Sequence, residues 1–319
     1  MFFNSNYLGV LYIALAQIFF TTQDMVIKFI SSDYALHEIV LIRSTVGILF
    51  TLFVFIPLDG GLKNLFRKNI ALHLLRGFGI VIANLCFFTS LITIPLGEAV
   101  AIFFIAPVII TSLSVIIIGE KVSLTSWIAV FVGFFGVLII LRPGFGVFNF
   151  ASLLPLIAAL AYAFVQIMTR KMGQAEKASK MVFYIQLNLL CFSVLSGLIF
   201  GNGNFADPSQ PTLYFLLRPW VFPTYVDLTI MFGIGIFSGL GAYCMTQSYR
   251  ISKAGFIAPF EYLALPLSIF WSIYVFDDWP DFISWIGILL ITCSGLYVAL
   301  KENTKGSKKD IYIPIPRNR

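Results

Sequence analysis

Long apolar runs constrain this chain more than any other feature of its sequence. An α-helix rises about 1.5 Å per residue, so a run of about 20 apolar residues matches the hydrocarbon core of a bilayer. Ten such runs follow one another, at 7–30, 36–56, 70–90, 95–118, 123–141, 150–171, 180–200, 227–249, 254–276 and 281–300. Hydrophobic residues make up 59% of the chain and charged residues only 11%, which lies far outside soluble usage. The sequence therefore predicts an all-α polytopic membrane protein with ten transmembrane helices.

The second half of the chain repeats the first. Ser126-Trp127-Ile128 recurs 158 positions later as Ser284-Trp285-Ile286, and the same offset pairs Gly97 with Gly255. The loop before the repeated tryptophan carries Lys121 in the first copy and no cation in the second. Because basic residues concentrate in cytoplasmic loops, the two copies should have opposite orientations in the membrane. We expect two inverted five-helix repeats, over 7–145 and 150–301, followed by a basic cytoplasmic tail over 302–319.

The distribution of positive charge predicts the orientation. With the N-terminus inside, 16 of the 21 lysines and arginines fall in cytoplasmic segments and three in outer segments. Both termini are therefore expected in the cytoplasm. The basic tail is typical of a solvated segment attracted to lipid, and no nucleic-acid partner is expected. The loop at 201–226 is rich in proline and aromatic residues, which indicates packing at the outer membrane surface, with a role as a lid as the alternative.

Ionisable residues inside the apolar runs are the main functional candidates. Such a side chain costs at least about 2.5–3.5 kcal/mol on insertion scales, so it normally faces the bundle interior or a wet cavity. The six that qualify are Asp24, Lys28, Arg43, Arg76, Glu98 and Glu261.

A polar stripe runs along the first predicted helix. Gln17, Thr21 and Asp24 are spaced at i, i+4 and i+7, which places them on one helix face, and Lys28 continues the stripe. The matching helix of the second half carries Tyr162 and Gln166 at i and i+4. We expect the two stripes to face each other across a central path. The alternative is an ion pair of Asp24 with Lys28 that makes no substrate contact.

Glu261 is the ionisable residue with the most unusual setting. Pro259 and Pro266 flank it, and a proline inside a span frees local carbonyl groups, as occurs where a transporter helix lines a cavity. Its counterpart by the repeat offset is Phe103, so the acid is not required by the architecture of the repeat. We predict that Glu261 binds a cationic substrate group or couples protons. A structural ion pair with Arg76 is the alternative.

These patterns define the predicted site residues. The predicted substrate-binding residues are Gln17, Thr21, Asp24, Asn84, Tyr162, Gln166, Tyr243, Gln247, Glu261, Tyr262, Ser268 and Trp271. The candidates for ion coupling or ion pairs are Glu261, Arg76, Arg43, Glu98 and Lys28. Catalytic and metal-binding motifs are absent from the sequence, so no catalytic residue, metal or cofactor is predicted. Gly235 and Gly239 form a small-xxx-small pattern, which favours close packing inside the bundle, with homodimerisation as the alternative to a monomer.

Several short motifs together resemble one family. They are Asp24-x-x-x-Lys28, Leu75-Arg76-Gly77, Leu96-Gly97-Glu98-Ala99, Ala106-Pro107, Gly119-Glu120-Lys121 and Ala258-Pro259-Phe260-Glu261-Tyr262-Leu263. Over about residues 8–301 the chain resembles EamA-type members of the drug/metabolite transporter superfamily, and within them it is similar to S-adenosylmethionine uptake proteins. The resemblance implies two EamA-like repeats, alternating access, and a central cavity lined mainly by the first, third, fourth, sixth, eighth and ninth helices.

Residues and resemblance together favour a secondary transporter in the plasma membrane, which we expect to be a bacterial inner membrane. The expected partners are the lipid bilayer and a small polar or amphipathic substrate that is amino-acid-like, a quaternary amine or S-adenosylmethionine-like. The alternative is a membrane-embedded lipid flippase or lipid-modifying enzyme. An enzyme should cluster acid, base or metal groups near one membrane face, whereas this chain spreads its polar groups over several depths. The expected protein is therefore not an enzyme.

Overall fold

The described part of the chain is helical throughout. The structure, a computed structural model, describes residues 5–30, 33–62, 65–66, 69–90, 96–141, 153–173, 175–207, 209, 214, 217–277 and 279–306, and no strand occurs among them. The helices are α1 (Ser5–Ile30), α2 (Leu36–Phe50), α3 (Ile70–Ser90), α4 (Leu96–Phe103 and Ala106–Leu113), α5 (Leu124–Leu141), α6 (Leu153–Met172), α7 (Ala178–Phe200), α8 (Tyr225–Ile251), α9 (Ala254–Ile257 and Ala264–Phe276) and α10 (Phe282–Gly306).

Seven of these helical segments are long and apolar enough to cross a membrane. They are α1, α2 with its extension to Leu58, α3, α6, α7, α8 and α9. Three shorter apolar helices lie at Ala106–Ile118, Leu124–Ile140 and Phe282–Tyr297. The prediction of an all-α polytopic membrane protein is thus confirmed at this level.

Helices α9 and α4 depart from α-helical geometry next to a proline. In α9 the segment Ala258–Leu263, which contains Pro259, forms a 3-10 helix between two α-helical pieces. In α4 the helix is interrupted at 104–105, directly before Ala106-Pro107, and it ends in a π-helical turn at Ser114–Ile118. Proline lacks the backbone N–H that would donate to the carbonyl oxygen one turn earlier, so this irregularity follows from the sequence.

The main helix contacts join the first half of the chain to the second. α1 packs on α8, α3 on α6 and α7, α2 on α7 and α8, and α5 on α10. The largest buried cluster among the described residues lies between α1, α4, α5, α6, α8 and α9, and it includes Ile13, Ile110, Ile167, Tyr249 and Phe256. The interior of the bundle is therefore built from both halves.

The small residues of α8 serve packing inside the chain. A Cβ atom on Gly235 would lie 2.4 Å from the Cβ of Val46, and one on Gly239 would lie 3.3 Å from a ring carbon of Phe50. Both neighbours belong to α2, so the small-xxx-small pattern lets these two helices approach closely. The structure therefore contains the close packing inside the bundle that the sequence favours for Gly235 and Gly239.

Contacts between connecting segments distinguish two ends of the bundle. At the end where α1 stops and α2 begins, here called the α1–α2 end, Tyr34 Oη donates to Asp227 Oδ2 at 2.7 Å, and Trp220 Nε1 donates to His37 Nδ1. The Trp220 ring also lies against Gly197, so the described part of the loop before α8 packs on α2 and α7. At the opposite end, here called the α2–α3 end, the backbone N of Ser179 donates to Asp59 Oδ2.

Candidate substrate-binding cavity

A cavity of about 730 Å³ lies between α1, α2, α3, α4, α6, α7, α8 and α9. The resemblance implies a lining from six of these helices, and the structure adds α2 and α7. The polar residues of its lining are Gln17, Gln23, Asp24, Arg43, Arg76, Asn84, Tyr162, Gln166, Gln186, Ser238, Thr246 and Glu261. Eight of the predicted site residues therefore border one cavity. Polar groups on a largely apolar wall are typical of small-molecule sites.

The cavity extends from the middle of the bundle toward the α1–α2 end. On α1 the lining runs from Gln17 to Ile27, which is the second half of that helix, and on α2 it runs from Leu36 to Arg43, which is the first half. On α3, which runs in the other direction, the lining begins at Arg76 and continues to Phe87. None of the described lining residues comes from the connecting segments of the α2–α3 end.

Glu261 is held by two tyrosines from different helices. Tyr162 Oη on α6 donates to Glu261 Oε1 at 3.0 Å, and Tyr249 Oη on α8 donates to the same oxygen at 2.5 Å. The side chain is buried, with 5% of its surface exposed. The 3-10 segment of α9 thus places the acid between α6 and α8, where hydroxyl donors reach it.

Arg76 is bonded elsewhere, so the proposed ion pair with Glu261 is not formed. Its Nη1 donates to Thr169 Oγ1 at 2.7 Å, and its Nη2 donates to the carbonyl oxygen of Met181. These partners belong to α6 and the start of α7, and they draw the guanidinium away from α9. The alternative prediction, a structural ion pair between Glu261 and Arg76, was therefore wrong.

Aromatic rings form part of the cavity wall beside the acid. Phe103 lies 5.4 Å from Phe87 and 5.7 Å from Tyr162, measured between ring centroids. Phe103 is the counterpart of Glu261 by the repeat offset, and both residues line the cavity. Edge-to-face aromatic groups of this kind offer a flat apolar surface to a ligand ring.

Two residues of opposite charge, Asp24 and Arg43, line the cavity nearer the α1–α2 end. Asp24 accepts a hydrogen bond from Gln23 Nε2 at 3.2 Å and is attracted electrostatically by Arg43. Both Asp24 and Arg43 line the cavity, and the carboxylate side chain is exposed to it. The alternative predicted from the sequence, an ion pair of Asp24 with Lys28, lies outside the described residues because the Lys28 side chain is not described. The side chain of Glu98, a candidate for ion coupling, is not described either.

Six predicted site residues lie outside the described lining. Their positions have individual causes: the Thr21 hydroxyl bonds back to the carbonyl of Gln17 at 2.8 Å, and the Tyr243 ring stacks on Phe55 at 4.0 Å. Gln247 accepts a hydrogen bond from Arg250 at 3.0 Å. The other three are Tyr262, buried against α5 and α10, Ser268, which is exposed, and Trp271, which packs on Phe270.

Four polar lining residues were missed by the sequence reasoning, namely Gln23, Gln186, Ser238 and Thr246. Gln186 was detectable, since an amide inside an apolar run follows the same rule as an ionisable group. Tyr249 was also missed as a partner of Glu261. Its contact depends on the shape of the 3-10 segment, which the spacing of residues does not reveal.

A charged network lies at the α2–α3 end, beyond the cavity. Arg170 Nε pairs with Glu120 Oε1 at 2.8 Å, and its Nη1 donates to the carbonyl oxygen of Arg250 at 3.1 Å. Glu120 Oε2 also accepts from the backbone N of Gly255 at 3.4 Å. These contacts tie the segment after α4 to the last turns of α6 and α8 and to the start of α9.

Glu176 is the second centre of that network. Lys180 Nζ lies 3.0 Å from its Oε2, and Asn69 Nδ2 donates to its Oε1 at 3.0 Å. Burial alone would raise the pKa of the Glu176 carboxyl, but the hydrogen bonds and charge from Lys180 and Asn69 together hold this pKa below its usual range. The carboxylate is therefore ionised at neutral pH and links α3 to α7.

Helices long and apolar enough to cross a membrane define an integral multi-pass membrane protein. An internal cavity with polar groups on a largely apolar wall is typical of the transporter class. Residues 7–142 match the family model of the EamA-like transporter family. This match and the relatives described below support an EamA-type transporter of the drug/metabolite transporter superfamily.

Its relatives include several named transporters. A riboflavin transporter of Vibrio cholerae is 27% identical over 95% of this chain and 96% of its own length. An S-adenosylmethionine uptake transporter of Rickettsia bellii is 25% identical over 74% of this chain and 75% of its own length. A solved crystal structure that is 15% identical matches with a TM-score of 0.75, covering 94% of this chain and 98% of that chain, and so shares the fold.

Proposed function

We propose that this protein is a secondary transporter that carries a small amphipathic metabolite across the bacterial inner membrane by alternating access. The observation that carries this proposal is the cavity of about 730 Å³, which combines charged, amide and aromatic groups and extends toward one end of the bundle. A cavity that reached both ends at once would be a channel, whereas a charged network lies beyond this one at the α2–α3 end.

The proposed architecture has ten spans in two inverted repeats, over 7–145 and 150–301. Mirrored packing supports it: α1 packs on α8 as α6 packs on α3, and α2 packs on α8 as α7 packs on α3. The interruption of α4 at 104–105 corresponds by the repeat offset to 262–263 in the 3-10 segment of α9. Inverted repeats of this kind let one half of the bundle rock against the other around a central site.

The proposed orientation places the α2–α3 end in the cytoplasm. The positively charged segments of this end include those that carry Lys121, Lys177 and Lys253. The cavity then faces outward in this structure, and the Arg170–Glu120 pair belongs to the closed inner gate. Transport requires this network to separate when the opposite end closes.

The proposed substrates share the chemistry of the compounds for which the relatives are named. Riboflavin and S-adenosylmethionine both combine a planar heteroaromatic ring system with polar groups, and the cavity has aromatic residues beside amides. We propose that Gln17, Asp24, Asn84, Gln166 and Glu261 contact the substrate, since all five line the cavity.

Uptake into proteoliposomes tests this function. Purified protein is reconstituted and given labelled riboflavin, S-adenosylmethionine, amino acids or quaternary amines in turn, with and without a pH gradient. We expect saturable accumulation of one class, and weaker uptake by Gln166→Leu, which keeps the size of the side chain but removes its hydrogen-bonding groups. Protein-free liposomes are the control. Redistribution of a fluorescent lipid between leaflets, with no solute uptake, would instead identify a flippase.

A further inference from the structure

The guanidinium of Arg76 borders the cavity but is buried within the protein. Arg76 has 1% of its surface exposed and is among the largest fully buried side chains of the described chain. Its two Nη atoms donate to neutral acceptors, the Thr169 hydroxyl and the Met181 carbonyl oxygen. These bonds hold the planar group in one orientation but do not neutralise its charge. Among the described residues, none is a hydrogen-bond partner of its Nε atom.

The carboxylates described in the cavity are engaged with other groups. Asp24 is bonded to Gln23 and attracted by Arg43, and Glu261 is bonded to Tyr162 and Tyr249. Among the described residues, none of the ion pairs includes Arg76. An arginine remains charged even when buried, and a buried charge without a countercharge is costly. With no countercharge among the described side chains, Arg76 is stabilised when a ligand supplies a negative charge.

The surroundings of Arg76 indicate the rest of the ligand. Gln186 on α7 also lines the cavity, and its buried Oε1 has no hydrogen-bond partner among the described residues, so it is able to accept from a ligand. On α3 the residues Ile80, Asn84 and Phe87 continue the same lining toward the α1–α2 end. A ligand that reaches Arg76 therefore places its remaining surface against apolar and aromatic groups.

We infer that Arg76 forms an oxyanion-binding subsite at the inner end of the cavity, and that the transported substrate carries a carboxylate or phosphate on a planar apolar body. This inference rests on the proposed function, because it takes the cavity to be the substrate site. Guanidinium groups bind oxyanions through charge-assisted hydrogen bonds, which are about twice as strong as neutral ones.

Matched aromatic probes test the subsite. The full-length protein in detergent is titrated with naphthoate, naphthamide and naphthyl phosphate, which share one ring system and differ in charge. We expect naphthoate or naphthyl phosphate to bind at least about tenfold more tightly than naphthamide, the preference that one charge-assisted hydrogen bond gives. A preference for one anion over the other identifies the oxyanion. Equal binding of all three probes, or no binding of any, would overturn the inference.

Variants separate the subsite from a structural role. Arg76→Gln should reduce the preference for the anion to about twofold or less, while Arg218→Gln, a buried arginine outside the cavity, should leave it unchanged. Arg76→Lys keeps a charge and should retain a reduced preference, which provides the test if the glutamine variant does not fold. Complete loss of the preference in folded Arg76→Lys would contradict a site based on charge. Unchanged uptake by Arg76→Gln in proteoliposomes would overturn the subsite but not the transport function.

Discussion

Tyr249 Oη lies 2.5 Å from Glu261 Oε1, and this is the shorter of the two tyrosine hydrogen bonds that hold the Glu261 carboxylate. The two residues belong to consecutive helices, α8 and α9, and Tyr162 of α6 donates to the same oxygen. Hydroxyl groups orient a carboxylate without supplying a countercharge. Glu261 is therefore positioned to take a proton or a cationic substrate group. Because its hydrogen bonds join α9 to α6 and α8, a change in its charge acts on the contacts of all three helices.

Glu261→Gln distinguishes these two roles. If the acid binds a cation, the variant should lose at least about tenfold in substrate affinity, because a charge-assisted hydrogen bond is removed. If the acid carries a proton, the variant should keep binding and counterflow exchange but lose uptake driven by a pH gradient. Calorimetry and proteoliposome flux are the measurements. Wild-type binding together with wild-type pH-driven uptake would exclude both roles.

The Arg170–Glu120 pair is predicted to hold the inner end closed. Arg170→Gln leaves Glu120 without its cation, so the open state should gain at least about 1.4 kcal/mol, a tenfold change in population. A reporter cysteine at Met172 should then react about tenfold faster in inside-out vesicles. Lys171→Gln is the matched control, since the neighbouring side chain is exposed. An unchanged rate in Arg170→Gln would remove this pair from the gate.

The sequence predicted the helices well because each long apolar run has one physical solution in a bilayer. It also placed Asp24, Tyr162 and Glu261 on cavity-facing positions of their helices. The faces of α8 were harder to predict. Tyr243 and Gln247 share one face, but the cavity is bordered by residues such as Ala242 and Thr246, about a quarter turn away.

Partner choice was harder still. The alternative of an ion pair between Glu261 and Arg76 rested on opposite charge alone, and hydrogen-bond acceptors on α6 and α7 hold Arg76 instead. Periodicity determines which residues share a helix face. It does not determine the neighbouring helix that this face meets, nor the local shape of a 3-10 segment.

Cysteine labelling tests the predicted topology. In a background without the four native cysteines, a cysteine at Asn204 should react with an impermeant maleimide in intact cells, because its loop is predicted to lie outside. A cysteine at Lys177 should react only after the cells are permeabilised. Both positions are exposed, so access to the side chain is equal. The reverse pattern would invert the orientation.

The glycines of α8 offer a stability test. Gly235→Ala should lower the free energy of unfolding by about 1–3 kcal/mol, since its Cβ would lie 2.4 Å from that of Val46. Gly233→Ala is the control, because no atom lies within 4 Å of the added Cβ. Thermal unfolding and the mass of the protein in detergent are measured together. A change of oligomeric mass without loss of stability would assign Gly235 to a dimer interface.

Blocking the cavity tests most directly the claim that the substrate passes through it. In the cysteine-free background, Ala242→Cys places a thiol in the lining, and Leu198→Cys places one on the exposed surface of α7. A bulky impermeant thiol reagent should abolish uptake by the Ala242 variant, the transported solute should slow this inactivation, and the Leu198 variant should keep its activity. Full uptake by a completely labelled Ala242 variant would contradict the account.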